Sequence, residues 1–217
     1  MFGARRRADQ MVRPEDALPG RDEAVRLTGA HFVHGRPIVP PWPEHHELAV
    51  FGMGCFWGAE RIFWQLDGVW STFVGYAGGT TRNPTYREVC TGLTGHAEVV
   101  VAVYDPERIT YEELLAPFWE QHDPTQSMRQ GNDVGSQYRS IVLVSDTEQE
   151  RVATASLANY QALLDATGYG TITTTVEPLG AVYYAEEEHQ QYLAKHPGGY
   201  CNHGFCQAAY VPLGKRS

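Results

Sequence analysis

The residues best suited to chemistry are four cysteines, Cys55, Cys90, Cys201 and Cys206, in a chain of 217 residues. Cys55 lies where a short apolar strand pattern gives way to a helical one. A thiol at a helix start faces the unpaired N–H groups of the first turn, which favour its thiolate form. The helix dipole contributes only about 0.3–1 kcal/mol, so further activation has to come from neighbouring side chains. A small buried hydrophobic role for this cysteine is the plainer alternative.

A zinc site is one interpretation of the polar residues. His96 and Glu98 match the first half of a zinc deaminase signature, H-x-E. The second half requires two cysteines separated by two residues, whereas four residues separate Cys201 from Cys206. A structural zinc ion on these two cysteines and His203 would lack a fourth ligand. The sequence therefore favours neither a metal site nor a cofactor.

Thiol chemistry is the second interpretation. A cysteine at a helix start and two cysteines on a Gly-rich tail suit a thiol peroxidase or a disulfide-exchange protein. A thioredoxin-like site would normally carry C-x-x-C, but Phe56, Trp57 and Gly58 follow Cys55 here. A non-enzymatic peptide-binding module, whose Phe-Trp pocket captures methionine, is a further alternative.

Aromatic residues beside a nucleophilic sulfur support a third interpretation. Phe56 and Trp57 would form an apolar pocket that suits a methyl or thioether group. Glu98, Tyr86 and Tyr138 are candidates to hydrogen-bond a polar oxygen next to that group. A sulfoxide has both features, and its reduction requires a thiol and an acid. Burial beside aromatic rings would raise the pKa of Glu98 and keep it protonated.

Hydrophobic periodicity predicts the elements that position these residues. The pattern of residues 47–53 predicts a strand that is apolar on both faces. The apolar residues that follow have helical spacing and predict an amphipathic helix that ends at residues 67–68. Further strands are predicted at residues 71–77, 97–104, 137–144 and 171–176. Polar loops at residues 80–96 and 123–136 separate these strands.

Capping boxes mark two longer helices. One begins at Thr110 with Glu113 three residues later, and Pro117 lies inside it. The other begins at Thr147 with Glu150 and stops near Gly168, and a short helix is predicted at residues 186–193. Together these elements predict an α+β fold, a two-layer sandwich with a mixed, mainly antiparallel sheet. Long irregular segments flank this catalytic domain of residues 47–195, namely an N-terminal arm at 1–46 and a Gly-rich C-terminal tail at 196–217.

Composition and charge narrow the class of protein. The net charge is −9 without a basic stripe, so nucleic acid is not an expected partner. No apolar run reaches the length of a transmembrane helix, and the N-terminus lacks the apolar core of a secretory signal. Four cysteines are too few for a disulfide scaffold and suit a reducing compartment. The sequence thus predicts a cytoplasmic protein without membrane contact.

Seven stretches, in order, resemble the methionine sulfoxide reductase A family. They cover roughly residues 46–206 and include Gly-Cys-Phe-Trp-Gly-Ala-Glu at 54–60, Thr-Gly-His-Ala-Glu at 94–98 and Gly-Asn-Asp-Val-Gly-Ser-Gln-Tyr-Arg-Ser at 131–140. Residues 16–21 also look like the arm of longer bacterial members. Because single motifs can match by chance but seven ordered blocks do not, the resemblance is specific.

The resemblance implies a role for each candidate residue. It implies that Cys55 is the nucleophile and becomes a sulfenic acid, and that Glu98 is the acid. The implied substrate-binding residues are Phe56 and Trp57 for the methyl group, Tyr86 and Tyr138 for the oxygen, and Asp133 as a further active-site carboxylate. Cys201 and Cys206 match recycling cysteines that pass electrons from thioredoxin, whereas Cys90 has no family role and is interpreted as structural.

The implied activity is reduction of methionine S-sulfoxide, free or in proteins, to methionine, in protein repair after oxidative damage. Thioredoxin would be the reductant, and a disulfide relay among the cysteines would return Cys55 to its thiol form. The nine histidines supply no obvious base for this chemistry.

Overall fold

The computed structural model describes residues 10–27 and 29–213. Its centre is a six-stranded sheet with strand order β7-β6-β1-β3-β2-β8, in which only the β6–β7 pair is parallel. The strands are β1 (Glu47–Met53), β2 (Val69–Ala77), β3 (Ala97–Tyr104), β6 (Ser140–Val144), β7 (Thr175–Pro178) and β8 (Tyr183–Tyr184), and the separate pair β4 (Arg129–Gln130) and β5 (Asp133–Val134) forms a small ribbon. The predicted α+β fold with a mixed, mainly antiparallel sheet is confirmed.

The helices are α1 (Phe56–Trp64), α2 (Tyr86–Cys90), α3 (Tyr111–Glu120), α4 (Thr147–Thr167) and α5 (Tyr192–Lys195). Residues of α1, α3 and α4 share one hydrophobic cluster with alternate residues of β1, β3 and β6. Phe51 is at its centre and stacks on Phe63 and Phe118, with ring centroids 5.1 and 5.3 Å apart. Successive side chains of a strand point to opposite faces of the sheet. Glu98 therefore lies on the same helix-facing side as Val100, as the sequence predicted.

The opposite side of the sheet is also buried, which explains why β1 and β3 lack a polar face. Val50, Val99, Val101 and Leu143 lie there under Ile38, which is fully buried. The described part of the arm therefore packs on the sheet, and isolated bridges join Gly20 to Arg82 and Ala30 to Pro37. The remainder of the predicted arm, and residues 214–217 of the predicted tail, lie outside the described residues.

Several predicted boundaries were wrong. Helix α1 ends at Trp64, not at residues 67–68, and residues 65–68 form a turn instead. The helix predicted at 186–193 is reduced to α5, after a left-handed Gln191. Asp146, rather than Thr147, caps α4, because its carboxylate accepts from the Glu148 and Gln149 amides; the stop at Gly168 is confirmed.

One loop prediction and two strand predictions also need correction. The loop at residues 80–96 contains α2, which a Thr85–Glu88 capping box begins. The strand predicted from residue 137 begins only at Ser140, because a 3₁₀ turn at Ser136–Tyr138 precedes it. The strand predicted at 171–176 is displaced to β7, since the Thr173 amide and hydroxyl both donate to the Pro124 carbonyl.

In the described part of the chain, no helix is long and apolar enough to span a membrane.

Candidate active site

Cys55 occupies the N-cap position of α1, directly after β1 and a turn at Gly54. Gly54 adopts φ +96°, and a Cβ atom there would come within 2.7 Å of the Gln130 side chain. The turn therefore requires glycine, and it buries the thiol to 6 % exposure.

Two opposing effects act on the Cys55 thiol. The amides of Trp57 and Gly58, in the first turn of α1, lower its pKa, as the sequence predicted for a helix start. Burial, and then the Glu98 carboxyl, raise the pKa by more, so the thiol stays protonated at neutral pH. The helix start thus favours the thiolate, but the neighbouring groups oppose ionisation instead of adding to the activation.

Glu98, on β3, is the acid nearest to the helix start. Its Oε2 accepts a hydrogen bond from the Phe56 amide at 3.0 Å, and its side chain is 1 % exposed. Burial raises its pKa to about 8, with a smaller contribution from the charge of Asp133. The Phe56 amide acts in the opposite direction without overcoming the burial, so Glu98 is mainly neutral at pH 7 and can donate a proton.

Aromatic rings enclose this end of α1. Phe56 is buried among Val74, Tyr76 and Tyr86, and its ring centroid is 6.4 Å from that of Tyr86. Trp57 stacks on Tyr192 at 3.9 Å, and its indole N–H donates to His189 Nδ1 at 3.2 Å. These contacts hold the two rings in fixed orientations beside the thiol and create an apolar lining.

The hydroxyl groups of Tyr86 and Tyr138 are affected by the same two main causes, which are burial and the Glu98 carboxyl. Burial is the main cause that raises each hydroxyl's pKa, and the Glu98 carboxyl is the next. Both phenols therefore stay protonated and can donate hydrogen bonds. Cys90 lies close enough to hydrogen-bond the Tyr86 hydroxyl and is exposed rather than buried in the core.

Asp133, on β5, connects the site to the C-terminal tail. Its Oδ2 accepts from Asn202 Nδ2 at 2.8 Å and from the Tyr200 hydroxyl at 3.3 Å. Its charge acts on both Cys55 and Glu98 and raises the pKa of each. Asp133 thus fastens the tail near the site and favours the protonated form of the acid.

The two tail cysteines lie against different helices. Cys201 Sγ accepts a hydrogen bond from Arg61 Nη2, on α1, at 3.1 Å. The Cys206 amide instead donates to the Glu120 carbonyl at the end of α3, at 2.7 Å. All four cysteines are free thiols in the structure. Among the described residues, no group of His, Cys, Asp and Glu side chains is arranged to hold a metal ion.

Sequence reasoning missed several residues that the fold brings to this site, namely Arg61, His189, Tyr192, Asn202 and His203. Arg61 lies six residues after Cys55 on the same helix, and Asn202 and His203 flank Cys201, so proximity in sequence was an available signal. His189 and Tyr192 arrive from a distant segment, and no spacing rule connects them to Trp57.

A buried thiol at a helix start, a neutral carboxyl and an aromatic lining define the class as a thiol-dependent oxidoreductase with an α+β fold. Comparison with known proteins gives the family. The family model described as peptide methionine sulfoxide reductase matches residues 47–210. The chain therefore belongs to the peptide methionine sulfoxide reductase family, and methionine sulfoxide reduction is its activity.

Individual relatives support this membership. A peptide methionine sulfoxide reductase MsrA of Methylobacterium nodulans is 59% identical over 215 residues, which is 99% of this chain and 96% of the relative. That of Brucella anthropi is 56% identical over 196 residues, or 90% of each chain. Among solved structures, methionine sulfoxide reductase A of Corynebacterium diphtheriae superposes with a TM-score of 0.84 at 44% identity, covering 94% of this chain and 99% of that one.

Proposed function

We propose that this reductase acts on the S epimer of methionine sulfoxide, free or in proteins, and that Cys55 is the nucleophile. The observation that carries the proposal is the pairing of a buried thiol at the start of α1 with the neutral carboxyl of Glu98. Reduction of each sulfoxide epimer requires its own enzyme type, and the A-type relatives support the S epimer here.

In the first step, the substrate methyl group lies against Phe56 and Trp57, while Glu98, Tyr86 and Tyr138 donate hydrogen bonds to the sulfoxide oxygen. Cys55 Sγ attacks the substrate sulfur as Glu98 protonates the oxygen. The attack forms a bond between the two sulfur atoms, and the thiol proton passes to Glu98. The hydroxyl group then moves from the substrate sulfur to Cys55 Sγ as this S–S bond and the S–O bond break, which leaves methionine and a Cys55 sulfenic acid. The substrate sulfur is reduced by two electrons and the cysteine sulfur is oxidised by two, so no other reductant enters.

Recycling uses the tail. The Cys201 thiol condenses with the sulfenic acid, which releases water and forms a Cys55–Cys201 disulfide. Cys206 then attacks Cys201, and the disulfide moves to the tail pair while Cys55 becomes a thiol again. A dithiol protein of the thioredoxin type reduces the tail disulfide.

Four sparse, free cysteines suit a reducing compartment, so we place the protein in the cytoplasm.

The test is stoichiometric turnover by the pre-reduced protein without added reductant. We expect conversion of the S epimer of methionine sulfoxide to methionine, no conversion of the R epimer, and no product from a Cys55→Ser variant. Hydrogen peroxide serves as the control substrate for a thiol peroxidase. Faster oxidation by peroxide than by the sulfoxide, or methionine formation by Cys55→Ser, would contradict the proposal.

A further inference from the structure

The tail segment that follows Cys201 inserts a histidine under the start of α1. His203 Nε2 and the Met53 carbonyl oxygen, the last residue of β1, are 2.7 Å apart. Because a carbonyl oxygen can only accept a hydrogen bond, Nε2 carries a proton and donates it. The histidine therefore fastens this part of the tail to the turn that presents Cys55.

The second ring nitrogen is free to accept a proton. The pKa of His203 is lowered to about 4, chiefly by burial and to a smaller extent by the Arg61 cation, and the hydrogen bond to Met53 opposes this only in part, so the ring is neutral at pH 7. With Nε2 protonated, Nδ1 has only its lone pair. This atom is buried and has no hydrogen-bond partner among residues 10–27 and 29–213. A buried acceptor without a partner destabilises the folded protein, so its presence here needs an explanation.

The free nitrogen and the Cys201 thiol lie over the same glycine. A Cβ atom built on Gly58 would be 2.3 Å from His203 Nδ1 and 2.8 Å from Cys201 Sγ. Both atoms therefore approach the α1 backbone side by side, and only glycine leaves room for them. Arg61 donates to the same sulfur at 3.1 Å, so the Cys201 thiol has a cation as a partner and shares its position over Gly58 with an unpartnered base.

We propose that His203 is the base that removes the Cys201 proton when this thiol attacks the oxidised Cys55, and that Arg61 stabilises the resulting thiolate. This inference rests on the proposed function, because it concerns the second step of that reaction. Cys201 is the only tail cysteine with such neighbours in the described part of the chain, since Cys206 Sγ contacts the Gly204 carbonyl.

The step balances in atoms and electrons. The Cys201 S–H bond breaks and its proton moves to His203 Nδ1, the new S–S bond forms to Cys55, and the S–O bond of the sulfenic acid breaks. The proton then joins the departing hydroxide to give water. Cys201 sulfur is oxidised by one electron and Cys55 sulfur is reduced by one, so no external oxidant is needed.

Burial opposes a charged histidine, but the transfer creates a thiolate beside it. Imidazolium and thiolate form together, so the pair stays neutral overall and each charge favours the other. The other titratable groups that face the ring are Arg61 on α1 and His122 after α3, and burial keeps His122 neutral by lowering its pKa to about 3. Among residues 10–27 and 29–213, Arg61 is therefore the group that contributes a permanent charge at the ring, and that charge favours the thiolate.

The test uses the full chain with Cys206→Ser, so that the reaction stops at the Cys55–Cys201 disulfide. His203→Gln keeps an N–H donor for the Met53 carbonyl but has no basic lone pair. After rapid mixing with methionine sulfoxide, methionine, dimedone-trapped sulfenic acid and disulfide are measured over time. We expect methionine to form at the parental rate, while disulfide formation slows by roughly 10²-fold at pH 6 to 7, the usual loss when a general base is removed.

The pH profile distinguishes a base from a structural contact. Raising the pH should restore disulfide formation in His203→Gln, because solvent then removes the Cys201 proton. His46→Gln, whose ring contacts only Glu44 and Trp70 among the described residues, is the matched control and should behave like the parent. Disulfide formation at the parental rate, or an equal slowing at every pH, would overturn the assignment. Failure of the parent to form methionine would overturn the proposed function and this inference with it.

Discussion

At the scale of single residues, the site is defined by two buried acids with different tasks. Burial raises the pKa of both Cys55 and Glu98, and their mutual repulsion prevents both from being ionised together. The pKa of the Cys55 thiol is raised above its ordinary value, whereas the pKa of Glu98 is raised only to about 8. Glu98 therefore loses its proton first as the pH rises. The ready form of the enzyme is therefore the doubly protonated one.

Asp133 should set the pH at which that form is lost. Its negative charge raises the pKa of Glu98, so Asp133→Asn should lower that pKa. We expect the decline in single-turnover methionine formation, centred near pH 8 in the parent, to move to lower pH. Asp67→Asn, an exposed residue paired with Arg108, is the control. An unchanged midpoint, or a shift to higher pH, would contradict this role for Asp133.

At the scale of elements, helix α1 serves both halves of the proposed reaction. Its N-terminus presents Cys55 and Phe56, and Gly58 in its first turn and Arg61 in its second contact the docked tail. The tail has no helix or strand of its own after α5 in the described residues, and hydrogen bonds to Asp133, Gln130 and Met53 hold it instead. Recycling therefore depends on contacts that can break and reform.

The tail cysteines should act in sequence. Cys201→Ser should release one methionine per molecule and then remain as a dimedone-reactive sulfenic acid in the presence of thioredoxin. Cys206→Ser should accumulate the Cys55–Cys201 disulfide and turn over slowly. Peptide mapping of the oxidised parent protein checks the order. A predominant Cys55–Cys206 bridge with Cys201 still open to alkylation would reverse the two assignments.

Sequence pattern was sufficient for the elements with strong periodicity. The strand before Cys55, the helix after it and the face of β3 that carries Glu98 followed from alternation and helical spacing. The pattern failed where contacts with distant segments accompany an irregular backbone, as at Ser136–Tyr138, where the neighbouring Arg139 side chain donates to the Ser136 carbonyl and to the distant Gly78 carbonyl. Proximity to Cys201 could have drawn attention to His203, but its unpartnered, buried nitrogen could not be predicted, because that environment exists only once the tail lies on α1.

At the scale of the whole molecule, the arm completes the fold. Ile38 is fully buried in the cluster on the side of the sheet away from the helices. His31 hydrogen-bonds Thr72, which donates to the buried Glu60 of α1, and the Phe32 amide donates to Gln191. The arm thus reaches the side of α1 that carries Glu60, although none of its residues lies among the proposed catalytic groups.

The arm should matter for stability and not for chemistry. Ile38→Ala should lower the free energy of unfolding by about 2–5 kcal/mol, the usual cost of truncating a buried isoleucine, with single-turnover activity retained. Urea denaturation and methionine formation measure the two effects. Phe32→Ala is the control, because that side chain is 60% exposed.

Deletion of residues 1–40 should lower the free energy of unfolding further than Ile38→Ala does. A folded truncation unable to reduce free methionine sulfoxide would show that the arm builds part of the site.

The central claim, that a neutral Glu98 protonates the sulfoxide oxygen as Cys55 attacks, is tested most directly by single-turnover methionine formation in the parent and in Glu98→Gln between pH 5 and 9. Glutamine keeps a hydrogen-bond donor but cannot give a proton. We predict a parental rate that is constant at low pH and falls as the pH rises through about 8, where Glu98 ionises. The variant should be slower by roughly 10²–10⁴-fold, the usual contribution of acid catalysis, and should lack that decline. A variant rate within a few-fold of the parent across this range would contradict the claim.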